Sequence, residues 1–97
     1  MSTYVMLAKW TDQGLRTIEE SPKRIDAARK SIEEMGGRFH SVHMTMGEYD
    51  LVIIYDAPDD AVAARFTLVL GKLGNVRTLS MRAFPEEAYR QIANSLR

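Results

Sequence analysis

Two segments of the chain are apolar on both sides of an alternating pattern. Thr3 to Trp10 sets Tyr4, Met6, Ala8 and Trp10 against Val5, Leu7 and Lys9, and Leu51 to Tyr55 is an unbroken Leu-Val-Ile-Ile-Tyr run. Short runs rich in β-branched and aromatic residues predict strands, and apolar residues of both parities predict cover on both faces. Arg38 to Thr45 alternates more weakly, Phe39, Ser41 and His43 against His40, Val42 and Met44, which suits a sheet edge. Val76 to Phe84 separates into Leu79, Met81 and Ala83, expected in the core, and Val76, Thr78, Ser80, Arg82 and Phe84, expected to be polar but sheltered.

Between these strands the apolar period lengthens to three and four. Ile25, Ala28, Ile32 and Met35 form one stripe of a helix that Ser21 is expected to cap and Pro22 to open, and Gly36-Gly37 ends it. Thr11 to Gly14 has turn chemistry, and Leu15 to Glu20 is expected to form one loose helical turn. A second helix, Ala61 to Leu73, starts from Asp59-Asp60 and buries Val62, Phe66, Val69 and Leu73, with Ala63, Ala64, Leu68 and Leu70 broadening its apolar surface. Pro85-Glu86-Glu87 opens a terminal helix whose Tyr89, Ile92 and Leu96 give a docking edge.

Strand, helix, strand, strand, helix, strand, helix is the order of a split βαβ plan, so the fold class expected is α+β and ferredoxin-like, with residues 1–97 as a single domain. Right-handed crossovers give a four-stranded antiparallel sheet of order 4-1-3-2, the two most apolar strands in the middle. Helices of this plan cover one face of the sheet. The apolar residues left on the other face call for a second copy, sheet against sheet, in a dimeric α/β barrel.

The 13 basic and 13 acidic residues cancel, and the Lys23-Arg24 and Arg29-Lys30 pairs are interrupted by acids, so neither nucleic acid nor an anionic membrane is an expected partner. Without cysteine, no disulfide or thiolate chemistry is open to the chain. The opening MSTYVMLAKW lacks the basic and long apolar regions of a signal peptide, which makes the cytoplasm the expected location. His40 and His43 are three apart on a strand and are expected on opposite faces, so no metal site is predicted, and no cofactor is expected.

The topology gathers strand ends into one rim: Trp10, Thr11, Asp12, Thr45, Gly47, Tyr49, Asp50 and Arg77. From it we select Trp10, Thr11, Thr45, Tyr49 and Arg77 as candidate ligand-binding residues, joined by Arg82, which could hold a ligand carboxylate or phosphate inside the barrel. The plainer role for Arg82 is an ion pair with Asp56 or Asp59 of a second copy. Asp50 and Tyr49 either fix the hairpin or supply catalytic groups, Asp50 as a base of raised pKa, and His43 is a candidate lone acid or base.

At Thr45-Met46-Gly47-Glu48-Tyr49-Asp50 the chain resembles the GYD family of small bacterial proteins, and Thr11 to Gly14, Ser21-Pro22, Gly36-Gly37, Ala57 to Asp60, Gly74 to Val76 and Arg82 to Phe84 extend the likeness over nearly the whole chain. Asp56 stands where that pattern has Glu, and His43 where an aromatic residue is more usual. The resemblance implies a ferredoxin-like protomer of the dimeric α/β-barrel kind and no particular activity. Two functions are then in play. One is a non-enzymatic homo-oligomeric module holding a small organic ligand between subunits; the other is a cofactor-free oxygenase or isomerase using His43 or Asp50 in the same place.

Overall fold

The computed structural model describes all residues from Met1 to Arg97. Strands β1 (Ser2–Trp10), β2 (Arg38–Met44), β3 (Leu51–Ala57) and β4 (Val76–Ala83) form one sheet of order β2-β3-β1-β4, with every neighbouring pair antiparallel. This is the expected order written from the other edge. Helices α1 (Asp12–Arg16), α2 (Ser21–Glu34), α3 (Asp60–Lys72) and α4 (Glu86–Asn94) complete an α+β fold. No helix is long and apolar enough to cross a membrane.

Alternation along the central strands decides what is buried. Tyr4, Met6 and Ala8 of β1 and Leu51, Ile53, Tyr55 and Ala57 of β3 all point to one face, where Ala28 and Ile32 of α2 and Ala63 and Phe66 of α3 meet most of them. Three rings order this core: Tyr4 stacks on Tyr55 at 5.4 Å, and Phe66 meets Tyr55 edge-on at 4.9 Å. Burial, then the hydrogen bond that the Tyr4 hydroxyl donates to Asp60, pushes the Tyr4 phenol up to about 12, so it remains a donor at any physiological pH.

The start of α2 differs from expectation. Ser21 has helical backbone angles and is no cap, because a 3-10 turn over Ile18–Glu20 runs directly into the helix. The cap lies earlier, at Thr11, whose hydroxyl accepts the Gly14 N–H at 3.1 Å and begins α1. Gly36, at φ +89°, ends α2 in the left-handed region that costs glycine nothing.

Gly14 is required for a different reason. A Cβ there would fall 2.2 Å from the Asn75 carbonyl oxygen, the same oxygen that accepts the Thr11 N–H at 3.1 Å. Gly14→Ala gains about 1 kcal/mol of helix propensity yet must push the turn after α3 away from α1. We expect a net loss of roughly 1–3 kcal/mol by overpacking, read as a lower urea midpoint at unchanged slope.

Strand β4 turns the opposite way from expectation. Register pairs Tyr4 with Arg82 and Val5 with Met81, so Thr78, Ser80 and Arg82 share the helix side while Leu79 and Met81 lie on the other, 44% and 45% exposed. The terminal helix departs as well. No residue of α4 is buried, and Tyr89 and Ile92 stay 63% and 48% exposed, so its apolar edge has no cover within the chain.

Candidate functional site

The sheet face away from α2 and α3 carries Val5 and Leu7 of β1, Val52 and Ile54 of β3, and Leu79 and Met81 of β4, cross-strand neighbours by register. Ser41 and His43 of β2 stand opposite Ile54 and Val52 and continue it to the sheet edge. The surface is apolar, contiguous and only half-shielded in the protomer.

Polar groups close one end of this face. Asp56 accepts hydrogen bonds from the Thr3 hydroxyl at 2.7 Å and from His40 Nε2, also at 2.7 Å. The register shift between Phe39 and Ser41 makes His40 the extra residue, so it reaches the open face that strict alternation denied it. Burial pushes the Asp56 carboxyl up, but the Thr3 and His40 hydrogen bonds and the His40 charge outweigh it and hold the group below its ordinary value of 3.8.

A carboxylate whose pKa falls on folding stabilises the protein above its unfolded-state value, and that contribution is lost as pH drops through the folded value. The stability advantage of the parent over Asp56→Asn should therefore be present above pH 3.8 and be lost as the pH falls below it through the folded value. Urea midpoints of both proteins measured from neutral to strongly acid pH check this.

At the opposite end the rim residues are mostly engaged with the backbone. The Asp50 carboxylate accepts the Trp10 N–H at 2.9 Å, its own N–H donates to the Ala8 carbonyl at 2.9 Å, and its carbonyl accepts the Thr45 N–H at 2.8 Å. The Thr45 hydroxyl donates to the Tyr49 carbonyl and the Thr11 hydroxyl to the Gly74 carbonyl, both at 2.5 Å. These bonds fix the β2–β3 connection and the start of α1. Lys9 stands 5.2 Å from the Tyr49 ring centroid and 3.9 Å from the Glu48 carboxylate, and Arg77 pairs across from Lys9. Gly47 has neither a positive φ nor a neighbour within 4 Å of a Cβ placed on it.

The remaining candidates do not converge. Trp10 lines a cleft on the helix side of the sheet. Arg82 shares that side with Tyr4 and donates to the Ser2 hydroxyl at 2.9 Å, which removes it from any chamber between open faces. Its anticipated acidic partners are occupied within the chain, Asp56 by Thr3 and His40, and Asp59 by the Val62 N–H that it caps at 2.9 Å. His43 is exposed and makes no side-chain hydrogen bond that would orient its ring. No three His, Asp or Glu side chains gather where they could hold a metal.

Sequence reasoning missed the His40–Asp56 contact and the contribution of Leu79 and Met81 to the open face. The apolar parity of β4 was visible, but which way it points depends on pairing with β1.

A family model described as the GYD domain matches residues 4–93. A Thermus thermophilus protein named glutamine synthetase and cystathionine beta-lyase binding protein is 34% identical over 86 residues, covering 88% of this chain and 90% of its own.

Proposed function

The chain belongs to the GYD domain family, and from that premise we propose that it is a non-enzymatic assembly and binding module of the cytoplasm: two copies pair through their open sheet faces, and the pair docks on a metabolic enzyme. The observation that carries this is the contiguous apolar face of Val5, Leu7, Val52, Ile54, Leu79 and Met81, which the chain's own helices leave uncovered. A four-stranded sheet of seven- to nine-residue strands is roughly 19 Å by 26 Å, so the pairing covers on the order of 1,000 Å² counting both copies. That sits at the threshold of a specific interface, about 1,000–1,200 Å². The uncovered edge of α4, with Tyr89 and Ile92, and Leu96 just after it supply the surplus that a stable pair needs.

The protein partner is suggested by the relative named for binding two enzymes. A small organic guest held between the sheets would meet Leu7, Val52, Ile54 and His43. No observation favours the enzymatic alternative, since Asp50 is bound to the Trp10 amide and His43 lacks an orienting group.

Light scattering on the purified chain, alone and mixed with glutamine synthetase, tests both halves. The chain alone should have twice the 11.0 kDa protomer mass, about 22 kDa, and should co-elute with the enzyme. A stable 11.0 kDa species would overturn the pairing. A dimer that ignores both glutamine synthetase and cystathionine β-lyase would overturn enzyme docking while leaving self-assembly intact.

A further inference from the structure

On the helix side of the sheet a partly open cavity of about 240 Å³ lies between β1, β3, α2 and α3. Protein interiors normally leave few voids larger than a water molecule. Small residues leave the space at its middle, Ala8 of β1 and Ala27, Ala28 and Ser31 of α2, between the larger Met6, Trp10 and Ile25, while Val69 of α3 and Leu73 just after it stand across the gap. An apolar chamber of this size has few partners to offer water, and a void of roughly 150 Å³ already admits benzene.

One lining residue is charged. Arg24 is half-buried and makes no ion pair; its Nη1 donates to the Thr17 hydroxyl and its Nη2 to the Gly14 carbonyl, both at 3.0 Å. Two neutral acceptors fix the guanidinium in place while its charge goes unneutralised, and three of its five N–H groups remain free. An anion that brings its own apolar body satisfies the charge and the void together.

We propose that this cleft is a binding site for a small, largely apolar carboxylic acid, a medium-chain acyl or single-ring aryl acid, whose carboxylate meets Arg24 and whose body lies between Ala28 and Val69. The site is complete within one protomer and on the opposite side from the open face. It therefore stands independently of self-association.

Octanoate and octanol, matched in length and differing in charge, are the probes for an amide NMR titration of the intact chain. Octanoate should shift the amides of Ala28, Ile53, Val69 and Val76 along a saturable curve, about tenfold more tightly than octanol. Arg24→Met should bring octanoate down to the affinity of octanol and leave octanol unchanged. Ser31→Leu, which fills the void, should weaken both. Shifts confined to the open face or α4, equal affinity for acid and alcohol on the parent protein, or an Arg24→Met variant that keeps the preference for the acid would each overturn the assignment. The acid-against-alcohol comparison on the parent decides the matter even if a variant fails to fold.

Discussion

Phe66→Ala is expected to cost about 3–5 kcal/mol of folding stability, the range for truncating a fully buried aromatic ring. Phe66 is 0% exposed and is the largest side chain that α3 packs against the sheet, its ring edge-on to Tyr55 at 4.9 Å. Tyr55 in turn stacks on Tyr4, so the deletion removes the edge-on partner of the ring at the centre of the cluster. Against a typical total of about 5–15 kcal/mol, the loss is large, and for a chain of this size it should lower the melting temperature by tens of degrees. Melts must be compared at equal protein concentration, because the proposed self-association would stabilise by mass action. A loss under about 1 kcal/mol, far below the usual cavity cost, would mean that the aromatic cluster does not organise the core.

The second large effect concerns assembly and not folding. Val52 lies mid-face, opposite Leu7 on one side and His43 on the other, and is only half-buried in the protomer. A glutamate there keeps its water in a single copy and loses it when two sheets meet. Two-fold symmetry places two such carboxylates in one interface, and a desolvation cost of a few kcal/mol in total raises the dissociation constant by about a thousandfold. Val52→Glu should thus shift light scattering from about 22 kDa, twice the protomer, to 11.0 kDa with an unchanged circular dichroism spectrum. Leu68→Glu is the control. Leu68 is 72% exposed on α3, away from the open face, and its substitution should leave the dimer intact. If Val52→Glu stays dimeric, the copies meet somewhere other than this sheet.

Both predictions draw on features of different legibility. The importance of Phe66 follows from a helical stripe that any reader of Val62, Phe66, Val69 and Leu73 would find. The position of Val52 on an uncovered face follows from the double-sided apolar pattern of Leu51 to Tyr55 together with one layer of helices. The candidate rim was legible as a neighbourhood, since topology fixes which strand ends meet. Its chemistry was not, because whether the Asp50 carboxylate is free or bound to the Trp10 amide depends on an angle that no spacing encodes. The cleft beside Arg24 left no signature beyond the small residues Ala27 and Ser31 on the row beside the stripe that carries Ile25, Ala28 and Ile32.

By itself the sequence determined the elements, their order and the central placement of the two apolar strands, because alternation, helical periodicity and glycine stops act over a few neighbouring residues. Only the tertiary structure decided that Leu79 and Met81 join the open face, that a bulge brings His40 to Asp56, that Thr11 and not Ser21 caps a helix, and that α2 and α3 stand far enough apart to leave a chamber. All but the cap depend on register or separation between segments distant in the chain, and the cap on where the short 3-10 turn before Ser21 begins. Local patterning leaves such quantities free until the strands have paired.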